Sequence, residues 1–137
     1  MDGFSDYLYK YGLHDCMIDD IIIDNGNVVF VFGSGIYMLD PSGKEIRLTK
    51  SCKVIVELDE TNPQQTLNHI DVVKIFRESI SEVDCADFVE IVKQFKFSII
   101  LNYYSYFNNS ILLKGYVNNS KYEITISEIR RIAFDFY

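Results

Sequence analysis

Two short runs of β-branched and aromatic residues, at 18–23 and 28–32, form the first regular pattern along the chain. Between them lies DNGN at residues 24–27. Asn-Gly between two such runs is a strong hairpin signal, because both central residues of a type I′ turn need a positive φ. The pattern therefore predicts an antiparallel β-hairpin. Beyond it, GSG at 33–35 predicts a bulge or bend before the second strand continues into IYML, and DPSG at 40–43 predicts a turn.

Residues 44–58 alternate between apolar and polar side chains. A period of two predicts a half-buried strand, or a pair of strands, with one parity facing the core. The positions of that parity are Ile46, Leu48, Cys52, Val54, Val56 and Leu58. The polar, proline-containing stretch at 59–67 predicts an exposed loop, and the β-branched run at 70–76 predicts a further strand.

The period changes at residues 82–95, which predict a helix. Apolar side chains spaced three and four positions apart lie on one face of a helix. Ser81 or Asp84 can serve as the N-cap, since each is followed three residues later by an acid. The apolar positions are Cys85, Phe88, Val89, Val92 and Phe95. Such a stripe needs a sheet to pack against, which gives the fold a second layer.

Three strand-like runs follow the helix, at 96–107, 110–117 and 121–129. They are separated by Asn-Asn pairs at 108–109 and 118–119, and Asn tolerates the left-handed conformation that tight turns require. The three runs therefore predict an antiparallel meander, closed by a last strand in RIAFDFY. The side chains expected to face inward from this last strand are Ile132, Phe134 and Phe136.

These patterns predict one α+β domain over residues 1–137. We expect about eight antiparallel strands in a curved sheet, an open barrel or a sandwich, with one packed helix. The composition agrees, because ten Tyr and ten Phe accompany many Ile and Val, and such side chains favour a pleated, half-buried surface.

Charge and cysteine content narrow the class of protein. A net charge of −7 argues against nucleic-acid binding, which requires Lys and Arg, and is compatible with a basic partner. The three cysteines, at 16, 52 and 85, do not indicate a disulfide scaffold. The first residues lack a signal-peptide pattern and no apolar run is long enough for a membrane span, so we expect a cytoplasmic protein.

Candidate catalytic chemistry is limited to the consecutive His14, Asp15 and Cys16. In an extended segment His14 and Cys16 share a face at about 7 Å while Asp15 points away, which is unsuitable for a catalytic dyad or triad. In a turn, Asp15 is more suited to capping backbone amides. Zinc, calcium, phosphate-loop and hydrolase signatures are absent from the sequence, and we expect neither a metal nor a cofactor.

The aromatic residues of LNYYSYFNN give a second candidate site, a binding surface. Parity separates Tyr104 and Tyr106 from Phe97, Ile99, Leu101 and Tyr103, and Tyr116 lies on the neighbouring run. If the helix leaves this face uncovered, the three tyrosines form an exposed patch edged by Asn102 and Lys114, and tyrosine is favoured at interfaces. Alternatively, a second sheet buries these rings.

The layout also carries a family resemblance. LHDC before an Asn-Gly hairpin, one helix in the second half and a closing meander that ends in RRIAFDFY resemble small bacterial families of uncharacterised β-rich proteins. Some of these are grouped with immunity proteins of polymorphic toxin systems. The resemblance implies an acidic, cytoplasmic inhibitor that binds a toxin domain, and it transfers no catalytic residue.

Two classes of function therefore remain, with a third possibility for the assembly. The first is a non-catalytic protein-binding module, in its sharpest form an immunity-type inhibitor of a basic toxin. The second is a small-molecule-binding or hydrolytic domain with a cavity near His14 and Cys16. In the third, an uncovered sheet face or edge strand forms a homodimer.

Overall fold

The computed structural model describes residues 3–58, 63–105 and 108–137. Within these residues the chain forms thirteen strands and one main helix, which confirms a mostly antiparallel α+β fold. A π-helical turn at Asp6–Lys10 precedes the first strand, and a 3₁₀ turn occupies Leu67–His69. The strands are β1 (Tyr11–Gly12), β2 (Met17–Ile18), β3 (Asp20–Asp24), β4 (Asn27–Phe32), β5 (Tyr37–Leu39), β6 (Glu45–Leu48), β7 (Cys52–Leu58), β8 (Ile70–Phe76), β9 (Ser79–Glu82), β10 (Phe97–Ser105), β11 (Ser110–Val117), β12 (Ser120–Ile126) and β13 (Ile129–Phe136), and the helices are α1 (Pro63–Thr66) and α2 (Cys85–Phe95).

The strands form three separate sheets. The large sheet has the order β2-β10-β11-β12-β8-β9, the four-stranded sheet has the order β13-β7-β4-β3, and the small sheet has the order β1-β5-β6. The apolar faces of the two larger sheets contribute to one core, and the sheets do not close into a barrel. Strands outnumber the expected eight because several predicted runs divide between sheets.

The first hairpin forms as predicted. Asn25 and Gly26 have φ values of 34° and 82°, and Asp24 pairs with Asn27 across the turn. The bend after Phe32 also forms, with Gly35 at φ 83°. The prediction that the same strand then continues is wrong, because β5 belongs to the small sheet.

The alternating run at 44–58 also divides between two sheets. Every second residue of β7 is buried, as predicted, whereas Ile46 and Leu48 of β6 are 61% and 52% exposed. Residues 59–62 of the expected loop lie outside the described residues. The remainder is helical rather than an exposed loop, since α1 ends at Thr66, whose buried Oγ1 accepts a hydrogen bond from the Gly26 amide at 3.0 Å.

Helix α2 begins at Cys85, three residues later than predicted, because Ser79–Glu82 forms β9 against β8. Asp84 is the N-cap, and its carboxylate accepts from the amides of Ala86 at 2.9 Å and Asp87 at 3.2 Å. Phe88 and Val92 are fully buried, with the Phe88 ring against those of Phe97 and Tyr122. The helix covers the core side of the large sheet. The prediction for the last stripe residue is wrong, because Phe95 at the helix end is 53% exposed.

The meander β10-β11-β12 forms as predicted, with Asn109 and Asn118 at positive φ in its two turns. The prediction that the last strand closes this meander is wrong. After Glu128, also at positive φ, the chain crosses to the four-stranded sheet, where β13 pairs with β7. Of its three expected inward side chains, Ile132 is buried, while Phe134 and Phe136 are half-buried and pack against the core.

Candidate interaction surface

A bulge in β10 decides which residues of the large sheet face outward. The pairing of β10 with β11 shifts register between Ile99 and Leu101. Before the shift, Phe97 and Ile99 are fully buried. After it the parity inverts, because one extra residue moves every later side chain to the other face. Leu101 and Tyr103 therefore point outward, 39% and 50% exposed.

The inversion contradicts the predicted exposure of Tyr104. Tyr104 pairs with the buried Ile111, and its ring lies 4.3 Å from the ring of Phe4, measured between centroids. Its hydroxyl donates to Asn109 Oδ1 at 3.1 Å. Burial raises the pKa of Tyr104. Tyr106 lies outside the described residues.

Asn102, expected at the edge of the exposed patch, also turns inward. Its Oδ1 accepts a hydrogen bond from the Tyr7 hydroxyl. Tyr7 is almost fully buried, and burial raises its pKa well above the ordinary value for tyrosine, so this hydroxyl stays protonated. The pair ties the N-terminal π-helical turn to β10.

Tyr116 does face outward, as predicted, and is 40% exposed. It pairs with Ser98 on β10 and Lys121 on β12, so it lies on the opposite face from Tyr104. The structure therefore separates the predicted tyrosines instead of grouping them. The alternation of the sequence did not predict that Leu101 and Tyr103 face outward on the same side of the sheet as Tyr116.

We call this side of the large sheet the outer face. Its apolar side chains lie on four strands, β10 and β11 on one side and β8 and β9 on the other, and the outward residues of the intervening β12 are the polar Lys121, Glu123 and Thr125. The apolar side chains are Val73, Ile75, Ile80, Leu101, Tyr103, Leu112 and Tyr116, of which Ile80 is the most exposed at 69%. Near its centre the Lys114 ammonium lies 3.3 Å from Glu123 Oε1 and 5.7 Å from the centroid of the Tyr103 ring. The surface thus combines exposed aromatic and aliphatic groups with a paired charge.

One residue of the sequence does signal the bulge. Gly115 pairs with Ile99 at the register shift, and a Cβ at Gly115 would overlap the Ser98 carbonyl oxygen. A glycine inside a strand marks a bulge or a close backbone approach. Gly115 is therefore the residue from which the inversion of parity in β10 could have been predicted.

The predicted site at His14, Asp15 and Cys16 is a turn, with Asp15 at φ 64°. Asp15 Oδ2 lies 3.1 Å from His14 Nδ1, and both side chains are more than half exposed. Cys16 points the other way, into the core, where its thiol is 3.5 Å from the Gly12 carbonyl oxygen. The turn therefore separates the thiol from the imidazole.

The described cysteines are not poised as nucleophiles. Burial raises the pKa of the Cys16 thiol to about 11, and the carboxylates of Glu45 and Asp15 add to the increase. Burial also raises the pKa values of Cys52 and Cys85 to about 11. Because the thiolate is the reactive species, the nucleophilic reactivity of these thiols is low at neutral pH.

The turn does bring together a set of groups that can bind metal. Ligand atoms of His14, Asp15 and Glu45 lie within 4.8 Å of one another, and all three residues are exposed. Imidazole with two carboxylates suits a divalent transition metal. Sequence spacing did not reveal the set, because Glu45 lies thirty residues away on β6. A cleft of about 290 Å³ adjoins it, lined in part by His14, Glu45 and Asn102 but not by Cys16.

Comparisons with protein-family models, with curated proteins and with solved structures found no match. Within the described parts of the chain, no helix is both long enough and apolar enough to cross a membrane.

Proposed function

We propose that the protein is a non-catalytic protein-binding module and that its contact surface is the outer face of the large sheet. The observation that carries the proposal is the exposure of Leu101, Tyr103 and Tyr116 on a regular sheet surface. Tyrosine provides a large rigid contact area at low cost in conformational entropy, and aromatic side chains are enriched at protein interfaces.

The shape of this surface favours a protein over a small ligand. Its apolar side chains are spread across four strands rather than gathered in a deep cavity, whereas small-molecule sites are concave. The Lys114–Glu123 pair supplies polar groups near the centre, where a partner can form further hydrogen bonds. The surface resembles one side of a protein–protein interface.

The charge of the whole chain favours a basic partner. With 20 acidic and 13 basic side chains the protein carries −7, and complementary charge speeds association. The sharpest form of the proposal is an immunity-type inhibitor, acting in the cytoplasm, that holds a basic toxin domain. This form rests on the family resemblance of the sequence and on the charge.

The hydrolytic alternative has less support. It needs an activated thiol or imidazole near His14, and Cys16 points into the core with a raised pKa. A homodimer through the outer face is the remaining alternative, because the same apolar groups can pair with a second copy.

A matched pair of surface variants tests the proposal. The double variant Tyr103→Ser/Tyr116→Ser removes two outer-face rings, and the control Tyr9→Ser/Tyr137→Ser removes two rings that are 67% and 56% exposed elsewhere. Tagged full-length proteins are used at low salt to capture partners from the cells that encode the chain, and the captured protein is purified to measure Kd. We expect one basic protein to bind the wild type and the control equally and the outer-face variant at least tenfold more weakly.

Light scattering of the purified proteins accompanies this experiment. A wild-type dimer that the outer-face variant converts to a monomer would replace the proposal with self-association. Equal capture by all three proteins would place the binding surface elsewhere on the molecule.

A further inference from the structure

The small sheet provides a cleft that the proposed protein-binding function does not use. Tyr11, Met38 and Arg47 are cross-strand neighbours on β1, β5 and β6, so their side chains form one row on the same face. Phe136 of β13 extends this row, with its ring centroid 5.5 Å from that of Tyr11. The cleft above the row has a volume of about 420 Å³. Its floor therefore places aromatic and thioether groups beside a guanidinium.

Positive side chains line one side of this floor. Arg47 ends the row, and Lys50 lines the cleft from the segment that follows β6. The Arg47 Nε donates to the sulfur of Met38 at 3.4 Å, and both side chains line the cleft.

The two cations of the cleft make no ion pair with the acidic side chains that the structure describes. Several other basic side chains make ion pairs, among them Lys96 with Asp19 and Lys114 with Glu123. Neither Arg47 nor Lys50 pairs with a carboxylate of the described residues. Among the described residues, both cations are therefore open to an anion from solution.

We propose that this cleft binds a small organic anion, namely a carboxylate carried on a flat apolar body. The planar guanidinium of Arg47 suits bidentate recognition of a carboxylate, and Lys50 adds a second positive charge. The Tyr11–Met38 floor takes the apolar body, since aromatic and thioether groups stack well on flat rings. The volume falls within the range of about 300–1,000 Å³ that is usual for small-molecule sites.

The probe for this site is 2-naphthoate, titrated at neutral pH and low salt into the full chain while amide chemical shifts are followed by NMR. The cleft variant Arg47→Gln/Lys50→Gln removes both cations. The control Lys44→Gln/Lys93→Gln removes two exposed lysines that do not line the cleft, with the same change in net charge. We expect shifts centred on Met38 and Phe136, at least tenfold weaker binding by the cleft variant, and less than a twofold change in the control.

A cationic analogue with the same rings, 2-(aminomethyl)naphthalene, separates charge recognition from general apolar binding. The proposal requires the analogue to bind at least tenfold more weakly than 2-naphthoate. Equal binding of the two probes, equal weakening in both variants, or shifts scattered over the outer face would each overturn it. The variants leave the outer face unchanged, so failure here leaves the proposed protein-binding function standing.

Discussion

The extra residue near Ile100 determines which side chains of β10 face solvent and which face the core. It places Tyr103 in solvent and turns Tyr104 towards Phe4, although the two are adjacent in sequence. Simple alternation from Phe97 assigns these two rings the opposite way. A single inserted position therefore moves the candidate surface from one set of tyrosines to another.

Substitution of each neighbouring tyrosine tests this assignment. Tyr104→Ala removes the contact with Phe4 and the hydrogen bond to Asn109, so we expect the free energy of unfolding to fall by about 1–2 kcal/mol. Tyr103→Ala removes an exposed ring, and we expect a change within about 0.5 kcal/mol. Urea denaturation followed by circular dichroism measures both. Equal losses would show that parity does not invert at the bulge.

The buried thiols give a second prediction for single residues. Cys16 and Cys52 are buried and their pKa values are raised to about 11. At pH 7.5 we expect iodoacetamide to label them at least tenfold more slowly in the folded protein than in urea, as measured by mass spectrometry. Rapid labelling of Cys16 in the folded state would instead support a thiol-based site at the His14 turn.

The same groups predict a loss of stability in alkali. Their pKa values are higher in the folded state than the ordinary value of 9.0, so the unfolded chain releases these protons first as pH rises. The stabilisation is complete below about pH 9 and is lost as pH rises towards about 11, and the buried Tyr7 extends the loss further. We expect Tm to fall across that window. The variant Cys16→Ala/Cys52→Ala should show a shallower fall, and an unchanged slope would contradict this assignment.

Individual elements follow local turn and capping chemistry closely. Asn-Gly at 25–26 sets the first hairpin, and Asn109 and Asn118 set the meander, because these residues accept the positive φ that each turn requires. The start of α2 was less well predicted. Ser81 and Asp84 are both suitable caps in sequence, but Ser81 lies in β9, a pairing with β8 that no local pattern reveals.

The N-cap of α2 can be tested directly. Asp84→Ala removes the acceptor for two amides at the start of the helix, and we expect a loss of about 1 kcal/mol in the free energy of unfolding. Asp84→Asn keeps a side-chain acceptor and should lose less than half as much. Thermal or urea unfolding of the two variants gives the comparison. Equal losses would mean that charge, rather than capping, is the main contribution of Asp84.

At the scale of the whole molecule, the sequence indicated the fold class but not the membership of each sheet. Alternation continues from Ile46 to Leu58, yet β6 and β7 lie in different sheets. The last strand leaves the meander and pairs with β7. Partner choice depends on contacts between residues far apart in sequence, and a strand's own period does not encode it. The cluster of His14 with Glu45 and the cleft floor formed by Tyr11, Met38 and Arg47 were missed for the same reason.

Two of the three sheets present surfaces of different chemical character. The large sheet presents the aromatic outer face, and the small sheet presents the cationic cleft. Helix α2 covers the core side of the large sheet, through Phe88 against Phe97 and Tyr122, and leaves its other side open. The central claim is therefore that a protein partner contacts this open side.

Site-specific photo-cross-linking tests that claim most directly. The photoreactive residue p-benzoyl-phenylalanine replaces Tyr103 or Tyr116 on the outer face, or Tyr9 as an exposed control, and each protein is irradiated in the cells that encode it. We expect positions 103 and 116 to cross-link to the same basic protein and position 9 to give no adduct with it. Adducts from position 9 alone, or adducts from 103 and 116 only with a second copy of this chain, would contradict the account.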